Sequence, residues 1–241
     1  MPRAVRLATL DLPTPVGDAR LHVHAVARPR ALVVLGHGAG RGHDTADLLG
    51  LAASLPQQGV SVVLVDQPWV LAGRRVAAPP ATLDRAWTAV LLGVRAAAGA
   101  SARVPLVVGG RSAGARVACR TAEQVGSRAV LALAFPLVPP AARADADKHH
   151  AALEKRRPEL EAPLRAGIPL VVAQGESDAF GAAGEVAEML ARLTVGRAGA
   201  SAEVVAVPGA DHALAVRRGG ADPAPVLLGA AMRAVDLARG A

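Results

Sequence analysis

The chain has 241 residues, of which 52% are hydrophobic, 20% are charged and only four are aromatic: Trp69, Trp87, Phe135 and Phe180. That balance excludes an intrinsically disordered chain. The net charge of +7 does not amount to a nucleic-acid footprint: arginines scatter from Arg3 to Arg239, no basic run exceeds Lys155-Arg156-Arg157, and rings for base stacking are scarce.

Taken in chain order, Val5 to Leu12 and the alternating Arg20 to Ala27 segment predict an antiparallel strand pair at the start. The pattern then changes to continuous apolar runs. Ala31 to Leu35 is the first, and it runs into the glycine loop Gly36-His37-Gly38-Ala39-Gly40. A helix is predicted over Ala46 to Leu55, capped by Asp44 or Thr45. Val60 to Val65 is the next strand, closed by Asp66-Gln67-Pro68-Trp69, and Leu83, Trp87, Val90, Leu91 and Val94 recur at helical spacing.

Strands are predicted at Val104 to Val108, Val130 to Phe135, Ile168 to Ala173 and Ala202 to Val207. Helices are predicted at Ser112 to Val125, around Val186, Met189, Leu190 and Leu193, and after Asp222-Pro223 with Leu228, Met232 and Val235 inward. A polar, charged stretch follows the Phe135 strand through Glu161. Strands without polar alternation, separated by helices, predict a mostly parallel sheet covered on both faces, in one α/β domain spanning residues 1–241. Cys119 is the only cysteine, which excludes a disulfide framework and a cysteine metal site. Neither a metal nor a cofactor is assigned. No secretory pattern opens the chain, and apolar runs fall short of a membrane span, so a soluble cytoplasmic protein is expected.

The strongest chemical signal is Gly110-Arg111-Ser112-Ala113-Gly114, a G-x-S-x-G pattern between a predicted strand and a predicted helix. A turn that tight strains the serine backbone and lifts its hydroxyl clear of the sheet. The competing reading is a packing turn with an inert serine. A nucleophilic serine needs a base and the base needs an orienting acid. Among seven histidines, His212 follows the last strand, at the carboxyl end of the sheet where ligands bind. Asp178, after the preceding strand, gives the chain order Ser, Asp, His. Glu176, Asp66 and Asp211 are the rival acids. Oxyanion donors are expected from the backbone N–H of Ala113 and from the glycine loop at Ala39. That loop lacks the Gly-Lys-Ser/Thr ending of a P-loop and the spacing of a dinucleotide fingerprint.

These segments make the chain resemble an α/β-hydrolase almost end to end. It is most similar to the small dienelactone-hydrolase-like group, through Gly-His-Gly-Ala-Gly, Gly-Gly-Arg-Ser-Ala-Gly-Ala-Arg, Ala-Phe-Pro-Leu and Gly-Ala-Asp-His. The resemblance implies an eight-stranded three-layer fold, nucleophile Ser112, acid Asp178, base His212, and oxyanion donors at Ala39 and Ala113. Dienelactone hydrolases carry cysteine where this chain has serine, so their substrate is not carried over. The expected activity is hydrolysis of a small-molecule ester or related acyl bond, by a monomer or homodimer with no nucleic-acid or membrane partner. The alternative is a fold of this type used as an interaction scaffold.

Three further expectations concern substrate. Residues 136–163 are read as a minimal, basic cap suited to a small or anionic acyl group. Arg111 is expected to pair with Asp66 or with a substrate carboxylate. His37 and Arg111 are expected in the pocket, together with at least two of Trp69, Phe135 and Phe180.

Overall fold

The computed structural model describes residues 4–40, 42–197 and 199–240. Two long strands, β1 (Val5–Thr14) and β2 (Gly17–Val26), form the antiparallel hairpin expected at the start. The continuous apolar runs become β3 (Ala31–Gly36), β4 (Val60–Asp66), β5 (Leu106–Arg111), β6 (Ala129–Leu133), β7 (Leu170–Gly175) and β8 (Ala202–Val207). They join one eight-stranded sheet in the order β1-β2-β4-β3-β5-β6-β7-β8, parallel from β4 to β8.

Seven helices cover the sheet among the described residues: α1 (Ala46–Ser54), α2 (Pro68–Leu71), α3 (Pro80–Ala98), α4 (Ala113–Thr121), α5 (Ala146–Arg165), α6 (Ala183–Thr194) and α7 (Ala224–Gly240). Alternate residues of each inner strand feed opposite cores. Leu32, Val34, Val108, Val130 and Val172 pack with α3, α4, α5 and α6. Val33, Leu35, Val107, Leu131 and Val171 pack with α1 and α7. Both faces are therefore sealed, and this is why these strands show no polar alternation. What stays accessible is the rim at the carboxyl ends of the strands.

One helical reading needs correction. The inward stripe of α7 is Leu227, Ala230, Ala231, Ala234, Val235 and Ala238, with Leu228 and Met232 only half-buried at its flank. Alanines form the seam because it lies close against the sheet, and the larger side chains sit beside it. Residues 136–163, read from sequence as a minimal cap, add little beyond the helical layer. They pass through a short turn into α5, which packs beside α4 and α6 as part of the helical layer. Arg156 from the basic stretch is half-buried and donates to the carbonyl of Pro136 at 3.2 Å. Lys148, His150, Lys155 and Arg157 face solvent.

Buried Glu159 ties that layer together. Arg116 donates to it twice, at 2.7 and 2.8 Å, and Arg120 once at 2.9 Å, while Arg120 also holds Asp84 of α3. Burial alone would raise the Glu159 pKa, but the Arg116 hydrogen bonds and the charges of Arg116, Arg120 and Arg156 outweigh it and hold the carboxyl below its usual range. A folded pKa below the unfolded one means the stabilisation is full above about pH 4.3 and is lost as pH falls through the folded value. Glu159→Gln takes the carboxylate from Arg116 and leaves Arg120 with Asp84 alone, and is expected to cost about 2–4 kcal/mol at neutral pH. Urea denaturation of wild type and variant should show that gap, and show it narrowing below pH 4.

Candidate active site

Every sequence-selected catalytic residue sits at the carboxyl rim. Ser112 lies between β5 and α4 with φ 52° and ψ −108°, a backbone conformation that side chains avoid. It is held there from both sides. Its N–H donates to the Leu133 carbonyl at the end of β6 at 2.9 Å, and its own carbonyl accepts from Arg116 in the first turn of α4. Gly114 lets α4 start so abruptly, because a Cβ there would lie 2.5 Å from the Gly36 carbonyl oxygen.

The strained turn aims Ser112 Oγ at His212 Nε2, 3.0 Å away. On the far side of the ring, His212 Nδ1 stands 2.8 and 3.0 Å from the two carboxylate oxygens of Asp178. Asp178 is buried, and the Phe180 N–H and the Gln174 amide each donate to it, at 2.8 and 2.9 Å. With Nδ1–H turned to the carboxylate, Nε2 is left as the acceptor for the serine hydroxyl. The three rival acids are engaged elsewhere. Glu176 accepts the Gly209 N–H, Asp211 caps Ala213 and Ala215, and Asp66 is held by His22 and His43.

Sequence reading missed the residue that locks this acid in place. Gln174 is fully buried at the end of β7; its amide nitrogen reaches Asp178, Phe135 O and Gly181 O, and its oxygen accepts the Phe135 N–H. A lone polar residue at the end of an apolar strand was the available signal, since a buried amide must find partners.

Arg111 departs from expectation. It does not reach Asp66. Its Nε is 3.2 Å from buried Asp47 Oδ2 of α1, and its Nη2 donates to the His212 carbonyl at 2.8 Å. The side chain therefore braces the histidine loop against α1. Asp47 and Arg111 are 64 positions apart in sequence, and no local pattern links them.

Around the glycine loop, His37 is buried, and both of its ring nitrogens meet backbone. Nε2 accepts the Gln67 N–H at 3.0 Å, so Nδ1–H donates to the Gly38 carbonyl at 2.8 Å. Burial lowers its pKa, which suits the neutral ring this arrangement requires. A Cβ built on Gly38 would sit 3.5 Å from Ser112 Cβ, so the loop carrying Ala39 runs directly beside the serine.

The aromatic residues divide. Phe180 lies against the His212 ring, centroids 4.2 Å apart. Trp69 meets His37 edge-on and lines a narrow crevice with Gly38, Ala113 and Gly114. Trp69, Gln67 and Leu83 also border a neighbouring cavity of about 440 Å³. Phe135 does not join them, because its side chain is sealed in the core under the helices, and only its backbone serves the site through Gln174. Ser112 and Ala113 are half-buried, and the His212 side chain keeps 22% exposure.

A strained serine at a strand-to-helix turn, met by a histidine and a buried aspartate from later strand ends, defines the serine-hydrolase class of parallel-sheet proteins. The chain belongs to the α/β-hydrolase family, whose domain model matches residues 29–236. Solved structures share the fold over nearly the whole length. A serine hydrolase without lid from Xanthomonas campestris aligns at 20% identity and TM-score 0.70, over 97% of each chain. Dienelactone hydrolase from Anabaena variabilis aligns at 16% and 0.64, over 97% of this chain and 96% of that one. Est1E from Butyrivibrio proteoclasticus aligns at 11% and 0.69, over 95% and 98%. No curated protein matches the sequence. Among the described residues no helix is long and apolar enough to cross a membrane.

Proposed function

We propose that the protein is a serine esterase that hydrolyses a small ester or related acyl bond through a covalent acyl-enzyme. The observation that carries this reading is the continuous relay from Ser112 Oγ through His212 to Asp178, with contacts of 3.0 and 2.8 Å. His212 Nε2 takes the hydroxyl proton as Ser112 Oγ attacks the carbonyl carbon. The N–H groups of Ala113 and Ala39 receive the negative charge that develops on the carbonyl oxygen. The tetrahedral species collapses, the leaving oxygen departs with the proton from His212, and the acyl group stays on Ser112. Water then repeats the attack under the same base and releases the acid. Asp178 keeps the ring in its tautomer and stabilises the imidazolium that forms.

The half-buried serine at the carboxyl rim supports a substrate approaching from solvent. A structure of Est1E with ferulic acid bound shares the fold at 13% identity and TM-score 0.64, and small aromatic esters belong in the first panel for that reason. The decisive experiment combines fluorophosphonate labelling, with Ser112→Ala as control, and turnover of short p-nitrophenyl esters. Labelling at Ser112 with turnover supports the proposal. Absence of both would favour the scaffold reading.

Asp178→Asn tests the relay separately. It keeps the side-chain shape but favours the wrong histidine tautomer, and kcat is expected to fall by about 10⁴. Circular dichroism should remain that of the wild type.

A further inference from the structure

At the far end of the loop that carries Ala39 is a cluster the serine site does not use. His22 of β2, Asp66 at the end of β4 and His43 meet around one carboxylate oxygen. Asp66 Oδ2 is 2.9 Å from His22 Nε2 and 2.8 Å from His43 Nδ1. All three ligand-type atoms lie within 4.8 Å of one another. The two imidazoles stack with centroids 3.5 Å apart and 22° between planes.

The cluster is built by the fold. Arg20 pairs with Asp66 across the β2–β4 ladder, so His22, two residues on, lies on the same face of the sheet. The loop brings His43 in, and its N–H anchors the other carboxylate oxygen, Oδ1, at 2.8 Å. Gly42 makes that approach possible, because a Cβ there would lie 2.7 Å from Oδ1. One oxygen is thus fixed by backbone while the other faces two imidazole nitrogens. Arg20 on the same face is matched by its bidentate pair with Asp11.

We propose that His22, His43 and Asp66 bind one zinc-class transition-metal dication that clamps this loop to the sheet and takes no part in bond cleavage at Ser112. Two imidazole nitrogens and one carboxylate oxygen suit zinc and its first-row neighbours, whereas magnesium and calcium favour all-oxygen sites. On binding, the nitrogen of each ring that faces Asp66 carries no hydrogen, and the two rings splay apart from their stack so that both lone pairs converge on the metal. Side-chain exposures of 18%, 26% and 9% for His22, His43 and Asp66 leave room for water ligands and a path of entry.

The test uses full-length protein without an affinity tag, treated with chelator and titrated with Co²⁺ by visible absorption and with Zn²⁺ by calorimetry. One equivalent of each is expected to bind, with ligand-field bands for Co²⁺ and a higher Tm with Zn²⁺. His22→Gln and His43→Gln should each weaken binding at least about tenfold and abolish the Tm gain. His24→Gln and the His149→Gln/His150→Gln pair should retain both. Wild type without stoichiometric binding overturns the proposal. So does binding that survives the His22→Gln/His43→Gln double variant. Wild-type-like circular dichroism of the variants separates lost ligands from lost fold. None of these readouts depends on ester turnover, so the site stands or falls apart from the esterase reading.

Discussion

Replacing Ser112 with alanine is expected to lower kcat on any ester the protein turns over by about 10⁴–10⁶-fold. The loss should appear in kcat with KM little changed, because the hydroxyl is needed to form the acyl-enzyme and not to hold the substrate. Ser112 Oγ meets the His212 ring, and alanine keeps the Cβ and tolerates the same backbone, so Tm should move little. His212→Ala should lose a comparable amount, and the double variant little more, since the two residues act as one unit. Additive losses would mean that the serine and histidine do not share a step. Single-turnover kinetics on one activated ester, with all three variants side by side, is the measurement.

The second large effect is expected from a single methyl group. Gly114→Ala places a Cβ 2.5 Å from the Gly36 carbonyl oxygen, 2.6 Å from its carbon and 2.9 Å from the His37 oxygen. These are backbone atoms of β3 and of the loop that follows it, so no side chain can rotate away. The first turn of α4 must shift, and with it Ala113 relative to Ala39. A stability loss of about 3 kcal/mol or more is expected, which for a chain of this size lowers Tm by roughly 6–12 °C. Activity at a temperature where the variant is still folded should also fall, through kcat. A variant with unchanged Tm would show that the loop yields without cost.

Much of this architecture is written in local sequence. The apolar runs of β3 and β4, interrupted only by Ser61, reveal their burial on both faces, and the alternation in β2 reveals the one strand pair that is different. Ser112 is legible because a nucleophile turn needs glycine close by, and Asp178 and His212 because their place after consecutive strands follows from chain order. The helix α5 was hidden by its own chemistry. Its charged face, together with Pro158 and Pro163 inside it, reads as a polar stretch and a basic cap, and its burial depends on pairing Glu159 with arginines of α4. The Arg111–Asp47 pair and the His22–His43–Asp66 cluster were equally hidden. Each is assembled from segments that carry no shared spacing: the packing of α1 brings Asp47 to Arg111, and the β2–β4 register together with the loop brings His22 and His43 to Asp66.

The hydrogen bond between Ser112 and His212 spans 100 positions of chain, and this separation has a consequence for biogenesis. The serine turn, the glycine loop and the strands that carry them emerge from a ribosome well before His212 does. On the proposed relay, a nascent chain halted before residue 212 displays the serine without the group that takes its proton. Labelling by a fluorophosphonate would then mark only chains whose last strand has docked beside β7. Reactivity of one hydroxyl becomes a reporter of finished folding, read without purifying the protein.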